Sequence, residues 1–370
     1  MTDRHTFMEH AIRLAQKPCV RTSPNPRVGC VIIAKDEIIG EGWHEGPGTP
    51  HAEVMALQNA GMRAKGAIAV VTLEPCNHQG RTGPCTKALI NAGISEVVFA
   101  VADPNPVATG GAEALAEAGI KVSSGLLAEE ATALNESWFF AQKARRPYFI
   151  GKSAASLDGR TATASGESKW ITGAEARAHA HSVRRNVDAI LVGVQTVIDD
   201  DPALTARDRG VATVVDRRQP RRIILDSQGR CPIGAKALDR MSPAPLIVTT
   251  DAMPFNAEVG LKEVGAEVVR LSTNESGHPD LLVLSDFLFE QGVMTLLVEG
   301  GATVLGSFFD AGLLDELHLY LARKVIGGGP GMFGGEGTPE LSQASAFLFD
   351  EPECLGTDFL FIGKRQKEAN

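Results

Sequence analysis

Two rhythms of apolar and polar residues alternate along this chain. From Phe7 to Lys17 the apolar positions recur every three to four residues, the spacing of one buried helix face. Val28 to Ala34 and Ile38 to Trp43 are instead short apolar runs flanking Lys35-Asp36-Glu37, which predicts a hairpin. The spacing predicts a helix over Ala52 to Ala60, ended by Gly61, because a residue without Cβ takes the left-handed conformation that stops helices. Strands follow at Ala67 to Thr72 and Glu96 to Val101, with helices at Thr86 to Ala92 and around Ala112 to Ala118. Strands separated by helices predict a mixed or parallel sheet covered on both faces.

The charged, proline-ended stretch Lys143-Ala-Arg-Arg-Pro147 follows a helical segment and precedes the apolar run from Tyr148, so it reads as a linker. Two domains are therefore expected, residues 1–146 and 147–370. The second again alternates: a helix over Ala174 to Arg185 and strands at Ala189 to Val192, Arg222 to Leu225 and Leu246 to Thr249. A helix at Leu281 to Gln291, a strand at Thr295 to Val298, a helix after Gly301 and antiparallel-looking strands at Glu316 to Leu321 and Asp358 to Ile362 complete it. No internal repeat links the halves. The one low-complexity patch, Gly327 to Gly337, permits unusual backbone angles or a close approach of a ligand.

Composition narrows the function. With 370 residues, 44% apolar and 22% charged, the chain is a soluble globular protein with room for more than one core. The net charge of −9 sits almost wholly in the second half, which speaks against a nucleic-acid or anionic-membrane partner. The charged N-terminus lacks the apolar core of a secretory signal, and no run nears the ~18 residues of a membrane span. A cytoplasmic location is expected, where Cys19, Cys30, Cys76, Cys85, Cys231 and Cys354 would stay reduced and metal binding or catalysis is the better use for them.

His51-Ala-Glu53, followed by Glu74-Pro-Cys76 and then Cys85, is the strongest chemical signal. One imidazole and two thiolates suit tetrahedral zinc, and three protein ligands leave a position for water, the catalytic arrangement. Glu53, two residues beyond His51 at a helix start, can reach the same cavity without being a ligand and serve as proton shuttle. His-x-Glu with Pro-Cys-x-x-Cys is the signature of zinc nucleobase deaminases. Eight residues instead of two separate the cysteines here. A structural zinc would want a fourth protein ligand, for which His78 stands nearby, although a substrate contact suits His78 better.

Ser23-Pro-Asn-Pro-Arg-Val-Gly29, Gly42-Trp-His44, His51-Ala-Glu53 and the whole stretch Glu74 to Cys85 resemble the bifunctional deaminase/reductase family of riboflavin biosynthesis. The long cysteine loop is what sets that family apart from cytidine, guanine and tRNA-adenosine deaminases. The resemblance implies an N-terminal cytidine-deaminase-like three-layer α/β/α domain and a C-terminal dihydrofolate-reductase-like α/β domain. It implies hydrolytic deamination of 2,5-diamino-6-ribosylamino-4(3H)-pyrimidinone 5′-phosphate, then reduction of the ribosyl chain to ribityl by NADPH. Asn25, His44, Ala52, His78, Arg81, Asp103 and Asn105 would line the first site, where Arg81 suits a phosphate. Asn25 and Asn105, each between prolines, would be ordinary turn residues in other proteins.

In the second half, no P-loop and no G-x-G-x-x-G is present. Thr295 to Gly301 reads as a buried strand ending in two glycines before a helix, where backbone N–H groups can meet a phosphate. Lys152 to Arg160, Ser165 to Thr172, Arg184, Thr196 to Arg207 and Val298 to Gly301 resemble the reductase half of the same family. Carried over, Ala154, Trp170, Thr196, Asp200, Ser227 and Gly301, Ala302, Thr303, Val304, Leu305, Gly306 and Ser307 would contact NADPH. Ser168, Arg184, Leu204, Arg207 and Glu299 would contact the sugar phosphate. Lys152, Asp200 and Glu299 are the ionisable groups nearest the chemistry, with Lys152 a candidate catalytic residue. The run Arg217 to Arg222 could touch the 2′-phosphate of NADPH or be a solvated loop. The family often associates through its reductase half, so a homo-oligomer, dimer or tetramer, is expected. Two other readings are a single-activity deaminase with an accessory second half, and a degenerate deaminase domain that only binds. The second would want a lost Glu53 or cysteine, and all four zinc-site residues are present.

Overall fold

The computed structural model describes residues 4–17, 22–79, 83–208, 211–212 and 219–366. The chain divides into two compact units, Met1–Arg145 and Arg146–Asn370.

The first unit runs α1 (Arg4–Ala15), β1 (Gly29–Ala34), β2 (Glu37–Trp43), α2 (Ala52–Ala60), β3 (Ile68–Leu73), α3 (Cys85–Ala92), β4 (Glu96–Val101), α4 (Gly111–Glu117), β5 (Lys121–Ser124), α5 (Ala128–Leu134) and α6 (Glu136–Ala144). The hairpin forms where expected: Lys35 and Asp36 both take positive φ, 52° and 63°, the turn whose twist matches antiparallel strands. Strand order is β2-β1-β3-β4-β5, antiparallel through β1 and parallel from β3 to β5. Successive side chains point to opposite faces, so Cys30 and Ile32 pack with Ala52 and Ala56 of α2 while Val31 and Ile33 pack with Met8 and Ala11 of α1. The sheet is thus covered on both faces. β5 escapes sequence reading because Lys-Val-Ser-Ser is a short, half-exposed edge with little apolar pattern.

The second unit runs β6 (Tyr148–Ser156), α7 (Ala174–Asn186), β7 (Ala189–Gly193), α8 (Val194–Asp200), β8 (Arg207–Asp208), β9 (Val211–Ala212), β10 (Arg221–Leu225), β11 (Leu246–Thr249), α9 (Phe255–Glu263), β12 (Glu267–Arg270), α10 (Leu281–Glu290), β13 (Thr295–Gly300), α11 (Ala302–Asp310), β14 (Glu316–Ala322), β15 (Phe347–Phe349), β16 (Glu353–Leu355) and β17 (Asp358–Arg365). Seven strands lie parallel in the order β12-β11-β10-β7-β13-β6-β14, after which β17 joins β14 antiparallel. β7 is buried throughout, and Phe149, Leu191, Ile223, Leu284, Val298 and Phe308 form one apolar core. The carboxyl ends of β7, β10 and β13 lead into Val194, Asp226 and Gly301, the edge where ligands collect on parallel sheets.

Candidate active sites

In the first unit, His51 is the N-cap of α2 and Cys85 opens α3. Cys76 lies between β3 and α3, and the donor atoms of the three residues fall within 4.8 Å of one another. His51 Nδ1 lies 3.2 Å from Cys85 Sγ and 3.5 Å from Cys76 Sγ. Among the described residues His78 is outside this cluster, and its Nδ1 is buried without a hydrogen-bond partner. The donor set, one imidazole nitrogen and two sulfurs, fits a catalytic zinc. A hydrogen bond from Cys85 pulls the Cys76 thiol down to about 4, so one of the two sulfurs is readily a thiolate. Glu53 is 4% exposed, and burial, followed by the charge of Cys76, pushes its carboxyl up to about 7. A buried carboxyl near neutrality is suited to taking and returning protons.

Around this cluster the structure gathers most of the residues expected to meet a pyrimidine. The His44 ring stands edge-on to His51 at 5.4 Å, places Nε2 3.0 Å from Asn25 Nδ2, and places Nδ1 3.3 Å from the Pro50 carbonyl. That carbonyl only accepts, so Nδ1 carries the proton and the Asn25 amide donates to Nε2. Ala52 is fully buried at the first position of α2. Burial raises the Asp103 carboxyl to about 6, Glu74 and Cys76 adding to the shift while Asn105 and His78 oppose it. Asn105 donates its N–H to Asp103 at 2.8 Å and accepts from Val107, so it is also a turn residue. Arg81 lies outside the described residues. The sequence reading missed Glu74, whose buried carboxylate accepts from the N–H groups of Asp103 and Ala112 at 3.2 and 3.0 Å and ties that loop to the metal turn. Its place beside Pro75-Cys76 was the signal available.

In the second unit a buried ionic group forms on one side of β13. Arg184 of α7 donates from Nε and Nη2 to the two carboxylate oxygens of Glu299 at 2.5 and 2.6 Å, and from Nη1 to the Thr205 carbonyl. Burial opposes the Glu299 charge, but Arg184 and Lys152 outweigh it and pull the carboxyl down to about 2. Burial lowers the Lys152 ammonium, with Glu299 opposing. His181, which the sequence reading did not single out, is pushed down to about 4 by burial and by the charges of Arg184 and Arg207. One turn before Arg184 on α7, it was detectable only through that spacing. Arg207 Nε meets the Thr205 hydroxyl at 3.2 Å, Leu204 is 2% exposed with φ +50°, and Ser168 is half-buried.

The residues expected to hold NADPH follow the carboxyl edge. Thr196 Oγ1 accepts from the Gly301 N–H at 2.8 Å, and among the described residues no side chain caps α11, whose first residues are Ala302, Thr303 and Val304, with Leu305, Gly306 and Ser307 following. An uncapped helix start behind two glycines fits a phosphate-bearing cofactor. Ala154 lies on β6 opposite Tyr320, Trp170 is 66% exposed with the Arg177 guanidinium 4.6 Å above its ring, and Asp200 pairs with Lys169 at 3.0 Å. Ser227 stands apart at the end of β10, two strands from β13, bonded to His278 at 3.1 Å. Of the arginine run, Arg221 pairs with Glu267, and buried Arg222 donates to the carbonyls of Asp239, Met241 and Pro243 at the amino end of β10, away from this edge. Arg217 and Arg218 lie outside the described residues.

Comparison with known proteins matches residues 147–355 to the RibD C-terminal domain and residues 1–101 to the cytidine and deoxycytidylate deaminase zinc-binding region. The riboflavin biosynthesis protein RibD of Aquifex aeolicus is 44% identical over 360 residues, covering 97% of this chain and 98% of the relative. RibD of Escherichia coli is 43% identical, covering 95% and 96%. The chain belongs to the RibD family. RibD of Acinetobacter baumannii superposes with a TM-score of 0.87 at 37% identity over 98% of each chain. A deaminase/reductase from Thermotoga maritima gives 0.82 at 34% identity, covering 98% of each chain. As a RibD, the chain is a bifunctional deaminase and reductase of riboflavin biosynthesis that uses zinc and NADPH. The cytidine-deaminase-like and RibD-reductase folds expected from the resemblance are those observed.

Proposed function

We propose that residues 1–146 remove the amino group of 2,5-diamino-6-ribosylamino-4(3H)-pyrimidinone 5′-phosphate, and that residues 147–370 then reduce the product's ribosyl chain to ribityl. The single observation that carries the first half is the buried Glu53 two residues from His51 in the His51, Cys76 and Cys85 cluster. When bound, zinc makes water a stronger acid by lowering its pKa from 15.7 to about 7. Glu53 takes a proton from that water and returns it to the ring nitrogen and the leaving amine. Asn25, oriented by His44, together with Asp103, Asn105 and His78, hold the pyrimidine and ribose; Arg81 suits the phosphate.

For the second half, NADPH supplies the hydride. The uncapped start of α11, with Thr196 holding Gly301, receives its phosphates. Arg184 and Arg207 face the sugar phosphate, Glu299 fixes Arg184, and Lys152 holds at Nζ the proton the ring-opened sugar requires. Lys152 is suited to this because burial weakens its hold on that proton. We place the enzyme in the cytoplasm; among the described residues no helix is long and apolar enough to cross a membrane. A dimer or tetramer is favoured by Leu341, Leu348 and Phe349, exposed around the edge strand β15.

Mass spectrometry of the pyrimidinone ribosyl phosphate after incubation tests this reading. Replacement of the amino group without NADPH, and gain of two hydrogens only with it, is the expected result. Deamination that never proceeds to reduction would leave the second half without its assigned step.

A further inference from the structure

The glycine-rich stretch from Gly327 to Gly337 has no part in the chemistry above, yet it is built into the reductase unit as a strap with two fixed ends. Its first end is held at the turn after β6. Asp158 Oδ1 accepts from the Ile326 N–H at 2.9 Å and the Ser156 hydroxyl at 2.7 Å, while Oδ2 accepts from the Gly327 N–H at 2.8 Å. Arg160 donates to the Gly329 carbonyl at 3.1 Å, and the Thr161 N–H donates to the Pro330 carbonyl at 3.0 Å. Gly329 has φ +104°, and a Cβ there would lie 2.2 Å from the Ala162 carbonyl oxygen, so the contact requires glycine.

The far end is seated on α11. The Gly334 N–H donates to the Ala302 carbonyl at 3.0 Å, and the Glu336 N–H donates to Asp310 at 2.9 Å. Phe333 lies 5.5 Å from Phe309, and a Cβ on Gly306 would stand 2.4 Å from the Gly335 nitrogen. The strap therefore joins the turn after β6, the strand that carries Lys152 and Ala154, to the helix start proposed to receive NADPH.

We propose that Asp158 is a positioning residue for NADPH, acting through the 326–336 strap to hold the first turns of α11 at a fixed place relative to β6. The inference rests on the placement of NADPH at α11 proposed above. A carboxylate meeting two successive backbone N–H groups fixes the strap's entry, and the close glycine contacts leave its path little freedom.

The test uses full-length Asp158→Asn, Asp158→Ala and Gly329→Ala, with NADPH dissociation constants from fluorescence titration, reductase KM and kcat, and the deamination rate of the same samples. Losing charge-assisted hydrogen bonds in Asp158→Ala, and forcing a Cβ against the Ala162 carbonyl in Gly329→Ala, is expected to raise the NADPH Kd about tenfold in each, with Asp158→Asn, which keeps one acceptor oxygen, in between. kcat at saturating NADPH should fall less than KM rises, showing that the second unit is folded, and deamination should be unchanged, showing that the first unit is. Thr196→Val, which removes the hydroxyl that holds Gly301, serves as reference. If it weakens NADPH binding while the Asp158 variants do not, the strap inference is overturned and the cofactor placement stands. If none of the four moves the Kd, the placement at α11 has failed and the inference with it. A lowered thermal midpoint with unchanged Kd would likewise overturn it, since that is what a purely structural contact gives.

Discussion

Glu53 and the pair Arg184–Glu299 show two opposite fates of a buried carboxyl. Glu53 is pushed up to about 7 by burial and the charge of Cys76, which outweigh the opposing charge of His51, whereas Glu299 is held down to about 2 by a two-pronged arginine. Replacing Glu53 by Gln should lower deamination about 10²–10⁴-fold, the range for loss of a general acid–base group, while zinc content by elemental analysis and reduction of the deaminated intermediate stay unchanged. Loss of zinc from that variant would instead make Glu53 a structural support. For Glu299, the folded value lies below its ordinary 4.5, so its charge stabilises the fold in full above that pH. That contribution drains away as pH falls through the window from 4.5 to about 2. Acid unfolding of the wild type should therefore steepen in this window, and Glu299→Gln should flatten it. Arg184→Met should destabilise the second unit by about 3–5 kcal/mol, because it strips the buried Glu299 carboxylate of both its arginine hydrogen bonds. An unchanged denaturant midpoint would rule that out.

Among the elements, α2 matters most to the first site, and two glycines set its distance from the sheet. A Cβ on Gly42 of β2 would lie 2.2 Å from the Ala52 carbonyl oxygen, and one on Gly40 would lie 2.2 Å from that of Ala56. Both contacts are to helix backbone, which cannot turn aside. Gly42→Ala should push away the first turn of α2, which carries Glu53, costing about 1–3 kcal/mol of stability and reducing deamination at unchanged zinc-site residues. Full activity with a native melting temperature would show that the sheet can give. Elements with a strong rhythm were legible in the sequence: Ala52–Ala60, Glu96–Val101 and Leu246–Thr249 form over the residues expected. Those missed, such as α8, α9 and the edge strands β5 and β12, are short or half-exposed, so their apolar residues are too few for a period to emerge.

For the whole molecule, the two cores lie in separate units, so the two chemistries should be separable without cutting the chain. Stripping zinc with a chelator should abolish deamination and leave NADPH-dependent reduction of the deaminated intermediate at its original rate, both restored or retained on adding zinc back. Parallel loss of reduction would mean that the metal supports more than the first unit. The sequence by itself determined the donor set His51, Cys76 and Cys85 with Glu53, because ligand chemistry depends on residue type and the cluster's segments are short and bounded by clear helix and strand signals. It also determined two α/β units, since the apolar rhythms belong to each segment alone. Only the tertiary structure decided that Arg184, expected to meet a phosphate, is gripped by Glu299 from 115 residues away. It likewise sent Arg222 to the amino edge of the sheet and seated the glycine-rich strap on α11. These pairings depend on strand order and crossing chains, and neither is encoded in any local window of residues.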